Sequence, residues 1–359
     1  MFKFQNPKLT SEFVYTSDLH KIEISIIMPV YNQEANILSV IKCLLENVTL
    51  NYELILIDDA STDKTNRLMN DFFAQGFLGQ SSNLLLTRVF SNKIAKFETY
   101  CDEYGISLSK SNYCLEVQAD MLLTDPGFDK RMMEAMQAHP ECVAISGRGI
   151  ERLAPIIRNY QNTLGSDRGM GRGILDYLAA RLRYQARYLL KIFRKAGKVS
   201  ASQVNSKNEH IFKAGLDEEF LATGNAGRLG MSIEQILPRS MLHDRKLYVG
   251  QSIMRGPILF NKSWFKHIGG LRPQIYFQGF DDHDFCARTI MEGKQVAYMP
   301  VSFNSPLELG TTRKHRSIMS ELLILYNLIR IRNKRHLSAL NDQSLSLVEK
   351  KSIYKILDF

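Results

Sequence analysis

The sequence is poor in the features that mark exported, membrane-spanning or disulfide-built proteins. Its 359 residues include five cysteines and one tryptophan. Cys43, Cys101, Cys114, Cys142 and Cys286 are scattered, odd in number and form no C-x-x-C pair. That excludes a disulfide framework and suits buried thiols in a reducing compartment. The opening Met1 to Phe13 alternates charged, polar and aromatic residues and lacks the apolar stretch of a secretory signal. A bilayer span needs about 20 apolar residues, whereas the run Leu322 to Leu328 is short and is followed by Arg330 and Arg332. A cytoplasmic protein is expected. Zinc-finger spacings, RNP-type aromatic stretches and repeats are missing, which leaves a nucleic-acid partner unsupported. No P-loop lysine motif occurs, and no G-x-G-x-x-G follows the first expected strand, which argues against a dinucleotide site.

What is present describes a folded, basic chain. Hydrophobic residues make up 45% and charged residues 23%, a balance that excludes a mostly disordered protein. The length suits one large α/β domain with embellishments or two modest domains. Lys and Arg outnumber Asp and Glu by 46 to 37, and the net charge of +9 favours phosphorylated small molecules or an anionic membrane surface.

Apolar patterning predicts strands at Glu23 to Val30, Glu53 to Ile57, Asn83 to Phe90 and Tyr113 to Val117. Helical spacing covers Asn36 to Leu45, Thr62 to Phe73 and a stretch ending near Leu108. Strands alternating with helices imply βαβ crossovers and a mostly parallel sheet covered on both faces, a Rossmann-like α/β fold. Ligands of such sheets bind beyond the carboxyl ends of the strands. Polar clusters stand at those positions: Pro29-Val30-Tyr31-Asn32-Gln33-Glu34, Asp58-Asp59-Ala60-Ser61-Thr62-Asp63 and Gln118-Ala119-Asp120-Met121. Further on, a strand is expected at Gly256 to Phe260, a helix at Asp281 to Glu292 and a strand at Val296 to Met299. Ile174 to Arg194 and Thr311 to His336 read as basic helices, the first amphipathic enough to lie on an anionic membrane surface and equally suited to helix packing.

The stretch Ile26-Ile27-Met28-Pro29-Val30-Tyr31-Asn32-Gln33-Glu34, followed by Leu54 to Asp63, resembles the paired opening motifs of family-2 glycosyltransferases. Gln118-Ala119-Asp120 resembles that family's metal-binding DxD. Gly279-Phe280-Asp281-Asp282-His283-Asp284 resembles its catalytic ED-x-D, and Arg255-Gly256-Pro257 with Gly269-Gly270 the stretch before it. The resemblance runs from Ile24 to about Pro300. It implies a GT-A fold, with an extension over residues 1–22, a nucleotide-sugar-binding half over 23–146, an acceptor-binding and catalytic half over 147–300 and a basic helical tail over 301–359.

The resemblance also implies roles. Pro29, Tyr31, Glu34, Asp59 and Asp120 would bind the nucleotide. Asp120, with His315, would hold Mn2+ or Mg2+. Asp282 would be the catalytic base, with Asp281 the neighbouring candidate, and Gly256, Trp264 and Arg288 would face the acceptor. Two positions depart from the family pattern. Gln118 stands where the first DxD carboxylate usually lies, and Asp102 where an Arg is common, which leaves Arg88, Lys93 or Lys96 to meet phosphate charge. Each residue also has a plainer role open to it. Asp59 and Ser61 suit helix capping, Asp120 a strand-ending turn, the acids of 281–284 compensation of a helix dipole, and Trp264 helix packing. The expected reaction is metal-assisted transfer of a sugar, with inversion, from a nucleoside-diphosphate-sugar donor to a glycan or glycolipid acceptor. A non-catalytic glycan- or membrane-binding protein and a sugar-nucleotide nucleotidyltransferase are the competing readings. The last would need a Gly-rich basic loop where Tyr31 to Glu34 stands.

Overall fold

The computed structural model describes residues 6–76, 83–151, 153, 245–276, 279–304, 337–353 and 355–359. Their first half comprises β1 (Lys8–Val14), β2 (Ile24–Val30), α1 (Ile37–Asn47), β3 (Tyr52–Asp58), α2 (Thr65–Ala74), β4 (Leu84–Ser91) and α3 (Glu98–Leu108). There follow β5 (Tyr113–Glu116), β6 (Leu122–Leu123), α4 (Phe128–Ala138), β7 (Cys142–Ser146) and β8 (Ile150–Glu151). The second half adds β9 (Lys246–Gly250), β10 (Ser252–Ile253), β11 (Ile258–Asn261), α5 (Lys262–His267), α6 (Asp281–Met291), β12 (Gln295–Tyr298), β13 (Phe303–Asn304), α7 (Asp342–Lys351) and β14 (Lys355–Asp358).

Ten strands form one sheet in the order β1-β4-β3-β2-β5-β11-β7-β12-β9-β14. Seven of them point the same way, while β1, β11 and β9 run against them. This is the mostly parallel α/β arrangement expected. Alternation along the central strands divides two apolar layers. Ile26 and Met28 of β2 and Leu54 and Leu56 of β3 join the layer under α1, α2 and α4. Ile27, Ile55 and Ile57 join the layer under α3, α5, α6 and α7. Burial on both faces is why β2 and β3 read as unbroken apolar runs. Helix α3 lies close on the sheet because Gly105 carries no side chain: a Cβ there would stand 2.4 Å from Cγ2 of Ile27.

The terminal strands were not legible in the pattern. Residues 8–14 form an edge strand antiparallel to β4, and residues 355–358 form the opposite edge, antiparallel to β9. Both are partly exposed and carry polar residues between apolar ones, as edge strands do. The basic helices expected at Ile174 to Arg194 and Thr311 to His336 lie outside the described residues. No helix among the described residues is long and apolar enough to cross a membrane.

Candidate active site at the carboxyl ends of the strands

The register brings Val30, Asp58 and Ser91 side by side at one sheet edge. Glu116 ends β5 on the same edge, next to Ile258 at the start of β11, with Ser146 and Tyr298 beyond it. The loops that follow these strands therefore share one rim. Among the described residues, four of the five non-glycine residues with positive φ, Asn32, Ala60, Phe97 and Phe280, stand in loops around this rim. Backbone strain of this kind collects where geometry serves a site.

The first two loops are sewn together. Ser61 Oγ accepts the N–H of Asn32 at 2.9 Å, Asn32 Oδ1 accepts the N–H of Thr62 at 2.8 Å, and Thr65 Oγ1 accepts the N–H of Gln33 at 2.7 Å. Glu34 and Asp63 clasp across the same seam, the first accepting the Lys64 N–H at 2.9 Å and the second the Glu34 N–H at 3.1 Å. Glu34 is thus a brace at the entry to α2. Asp59 is buried and accepts from the Asn92 amide and from the backbone N–H groups of Lys96 and Phe97, each at 2.8 Å. It fixes the loop 92–97, where Lys93 is exposed and Lys96 lies with its ammonium 4.5 Å from the centre of the Tyr100 ring. Burial lowers the pKa of Lys96. Tyr31, directly after β2, is 44% exposed.

Arg88 does not reach this rim. Its Nη2 donates to Oε2 of the fully buried Glu53 at 2.6 Å and to the Leu108 carbonyl at 3.1 Å, so its charge is spent inside the sheet.

A dense charge cluster joins the two halves of the rim. Arg255 donates to Asp102 of α3 through Nη1 and to Asp281 of α6 through Nη2. Nη1 also lies 3.7 Å from Glu98 and 3.9 Å from Glu116. Burial works against the guanidinium charge, but Asp281 and Asp102 outweigh it and hold Arg255 protonated well above its usual range. Burial also pushes the carboxyl of Asp102 up to about 8 despite Arg255, and lifts Glu116 well above the ordinary carboxylate range. At Asp102, where the family resemblance leads one to expect an arginine, the guanidinium arrives instead from residue 255. Gly256 completes the contact: its N–H donates to Glu116 at 3.2 Å, its φ is +57°, and a Cβ would stand 2.8 Å from Cγ of Gln118. Only glycine fits there.

Gln118 donates its amide to Glu98 at 2.8 Å and so faces the cluster. Asp120 follows in the turn after β5, half-buried at the rim. His315 lies outside the described residues. Three carboxylates whose oxygens approach one another within 4.8 Å are Glu98, Asp102 and Glu116, none of which the sequence nominated as a ligand.

The acids that open α6 have different partners. Asp281 is buried and bonded to Arg255. Asp284 is buried too, accepting from Tyr276 at 2.9 Å, from the Ala339 N–H at 2.7 Å and from Arg288 Nε at 2.7 Å. Asp282 is different: 14% of its side chain is exposed, Oδ1 accepts the His283 N–H at 2.8 Å, and Oδ2 takes no hydrogen bond among the described residues. Burial raises its pKa, with His283 pulling the other way. His283 in turn pairs with Ser252 at 2.6 Å.

Two residues expected at the acceptor side make contacts within the protein. Arg288 is buried, and its donors go to Asp284 and to the carbonyls of Ile268 and Gly270, so it supports the loop before α6 from inside. Trp264 follows β11 at the far end of the sheet, since Ile258 pairs with Glu116 at the rim and Asn261 with Tyr113 away from it. Its Nε1 donates to Thr289 Oγ1 at 3.2 Å, a packing role. All five cysteines are free thiols, and burial pushes Cys114 up to about 11 and Cys142 and Cys286 to about 12, which makes them poor nucleophiles.

An uncharacterized glycosyltransferase of Synechocystis sp. is 33% identical over 108 residues, covering 29% of this chain and 31% of that protein. A dolichyl-phosphate beta-glucosyltransferase of Dictyostelium discoideum is 32% identical over 110 residues, covering 28% and 32%. The matches thus span about a third of the length of these relatives. A mannosyltransferase of Pyrobaculum calidifontis, solved with GDP-Man and Mn2+, superposes with a TM-score of 0.44 at 12% identity over 80% of this chain and 57% of that one. The sequence profile of Glycosyl transferase family 2 matches residues 25–173, which include the loops after β2, β3 and β5. By that match, residues 25–173 of this chain are similar to glycosyl transferase family 2.

Proposed function

We propose that the chain is an inverting glycosyltransferase that moves a sugar from a nucleoside-diphosphate-sugar donor to a hydroxyl of a glycan or glycolipid. The observation that carries this reading is Asp282. Of the three acids at the start of α6, Asp281 is bonded to Arg255 and Asp284 to Arg288 and Tyr276, which leaves Asp282 with an oxygen available to an acceptor. Inversion needs a carboxylate that takes the acceptor proton as the hydroxyl attacks opposite the departing diphosphate. A base of raised pKa takes that proton more readily than an ordinary carboxylate.

On the donor side, the exposed ring of Tyr31 offers a face for the base, and Lys93 and Lys96 in the loop held by Asp59 offer charge for phosphate. The rim fits a divalent ion held weakly by protein: Asp120 supplies a carboxylate while Gln118 is committed to Glu98, and Mg2+ or Mn2+ takes its other ligands from phosphate and water. Such an ion, when bound, neutralises the leaving diphosphate. A glycolipid acceptor would place the protein on an anionic membrane face on the cytoplasmic side, a reading supported by the net charge of +9.

The test is a thermal-shift screen of nucleoside diphosphates and their sugars, with and without Mn2+. A selective ligand raises the melting temperature by mass action. No shift with any nucleotide would overturn the reading, and tight binding without turnover would favour a non-catalytic binding protein, the alternative motivated by Gln118.

A further inference from the structure

The cluster around Arg255 contains more carboxyl groups than its guanidinium can pair. Glu98, Asp102, Glu116 and Asp281 surround one arginine, and Asp102, Glu116 and Asp281 are almost completely buried. Two oxygens are conspicuous. Oδ1 of Asp102 and Oε1 of Glu116 are buried and take no hydrogen bond among the described residues. Arg255 does not satisfy them: it bonds the other oxygen of Asp102, and its 3.9 Å approach to Glu116 is too long for a hydrogen bond. The second oxygen of Glu116 is taken by Gly256. Buried carboxylate oxygens without donors are costly, and a hard cation is a partner that answers several at once.

From this geometry we infer a divalent-cation site formed by Glu98, Asp102 and Glu116, separate from Asp120. One oxygen from each lies within 4.8 Å of the others. Ligands on a shared Ca2+ with bonds of about 2.3–2.6 Å stand at most about 5 Å apart, so the spacing accommodates such a hard divalent cation, and Mn2+ serves as its paramagnetic probe. Glu98 is exposed and opens the site to solvent, while the other two form its floor. Arg255 remains bonded to Asp281 beside it, so an ion held here would sit where α3 of the donor half meets α6. The inference rests on the cluster alone and stands whether or not the chain transfers sugar.

The experiment is Mn2+ binding to the full chain without nucleotide, followed by electron paramagnetic resonance and repeated with Ca2+ as competitor. The parent protein binds Mn2+, and Ca2+ displaces it. Changes in the outer shell of a metal site already cost about 10–100-fold in affinity, so Glu116→Gln and Asp102→Asn weaken binding by at least that much. Glu98→Gln weakens it too, and because Glu98 is exposed this variant decides the matter if the buried ones fail to fold. Asp120→Ala still binds Mn2+ without nucleotide, because the three carboxylates remain. The inference is overturned by a parent chain that binds no Mn2+ without nucleotide, by full affinity in Glu98→Gln, or by loss of binding in Asp120→Ala.

Discussion

The guanidinium of Arg255 holds the carboxylate of Asp281, and the same side chain holds Asp102 on the other side of the rim. One residue thus ties α6, which opens with the acids 281–284, to α3, which follows the loop 92–97. Removing one partner of a buried ion pair typically costs about 3–5 kcal/mol because the other charge is left uncompensated. Arg255→Met should lose stability on that scale in metal-free denaturant melts. The sign of the pH dependence follows from the acids. Without Arg255, Asp102 and Glu116 hold protons to a still higher pH in the folded state than in the unfolded chain, so stability falls as pH rises above the ordinary carboxylate range. The loss should be larger at pH 8 than at pH 5, and equal losses would contradict the assignment.

Arg288 and Trp264 should behave as structural residues. Arg288→Met exposes the buried Asp284 to the same penalty and should lower the unfolding midpoint. Trp264→Phe removes one hydrogen bond to Thr289, worth about 1 kcal/mol. In Trp264→Phe, KM for the acceptor should stay within error of the parent value. A several-fold rise in that KM would return Trp264 to the acceptor site.

How these residues divide was only partly legible in the sequence. The buried parallel strands stood out because Ile26 to Met28 and Leu54 to Ile57 are continuous apolar runs, and the turn clusters after them marked the rim. Residues 281–284 announced an acidic site, but not which acid is free, because the partners that occupy the others lie far along the chain: Arg255 for Asp281, Ala339 for Asp284. No local pattern marks such pairs. The same is true of Asp102, which reads as a departure from the family until Arg255 is seen beside it. Helix α4 escaped notice because its apolar residues, Phe128, Met132, Ala135 and Met136, alternate with Asp129, Lys130, Arg131 and Glu134 in a short stretch after a turn. Gly256 stood out from its place in Arg-Gly-Pro, but its close approach to Gln118 across the fold did not.

Tyr31 should matter to donor binding and to little else. Stacking of a base on an aromatic side chain is worth about 1–3 kcal/mol, so Tyr31→Ala should raise the donor Kd by roughly 5-fold to 100-fold. Being exposed, the ring carries little of the fold, and the melting temperature should hardly move. Calorimetric titration with the nucleotide found in the screen measures the first effect. Unchanged affinity would place the base elsewhere.

The acid limb of the rate profile should also lie above the ordinary Asp range. Burial raises the pKa of Asp282, and a base works only when deprotonated, so kcat/KM should fall as pH drops through that raised value. Rates that hold constant down to the usual Asp pKa of about 3.9 would mean that Asp282 is not the group titrating.

The central claim is that Asp282, and not its neighbour, takes the acceptor proton. The direct measurement is nucleoside diphosphate release from the donor by Asp282→Asn and Asp281→Asn, with donor affinity determined separately for each. Asn keeps the size and hydrogen bonding of Asp but cannot accept the proton. Asp282→Asn should bind donor as the parent does and turn over about 100-fold to 10,000-fold more slowly, the span for loss of a general base. Asp281→Asn should lose stability through its broken contact with Arg255 and retain more of its rate. Near-parental turnover in Asp282→Asn would contradict the account.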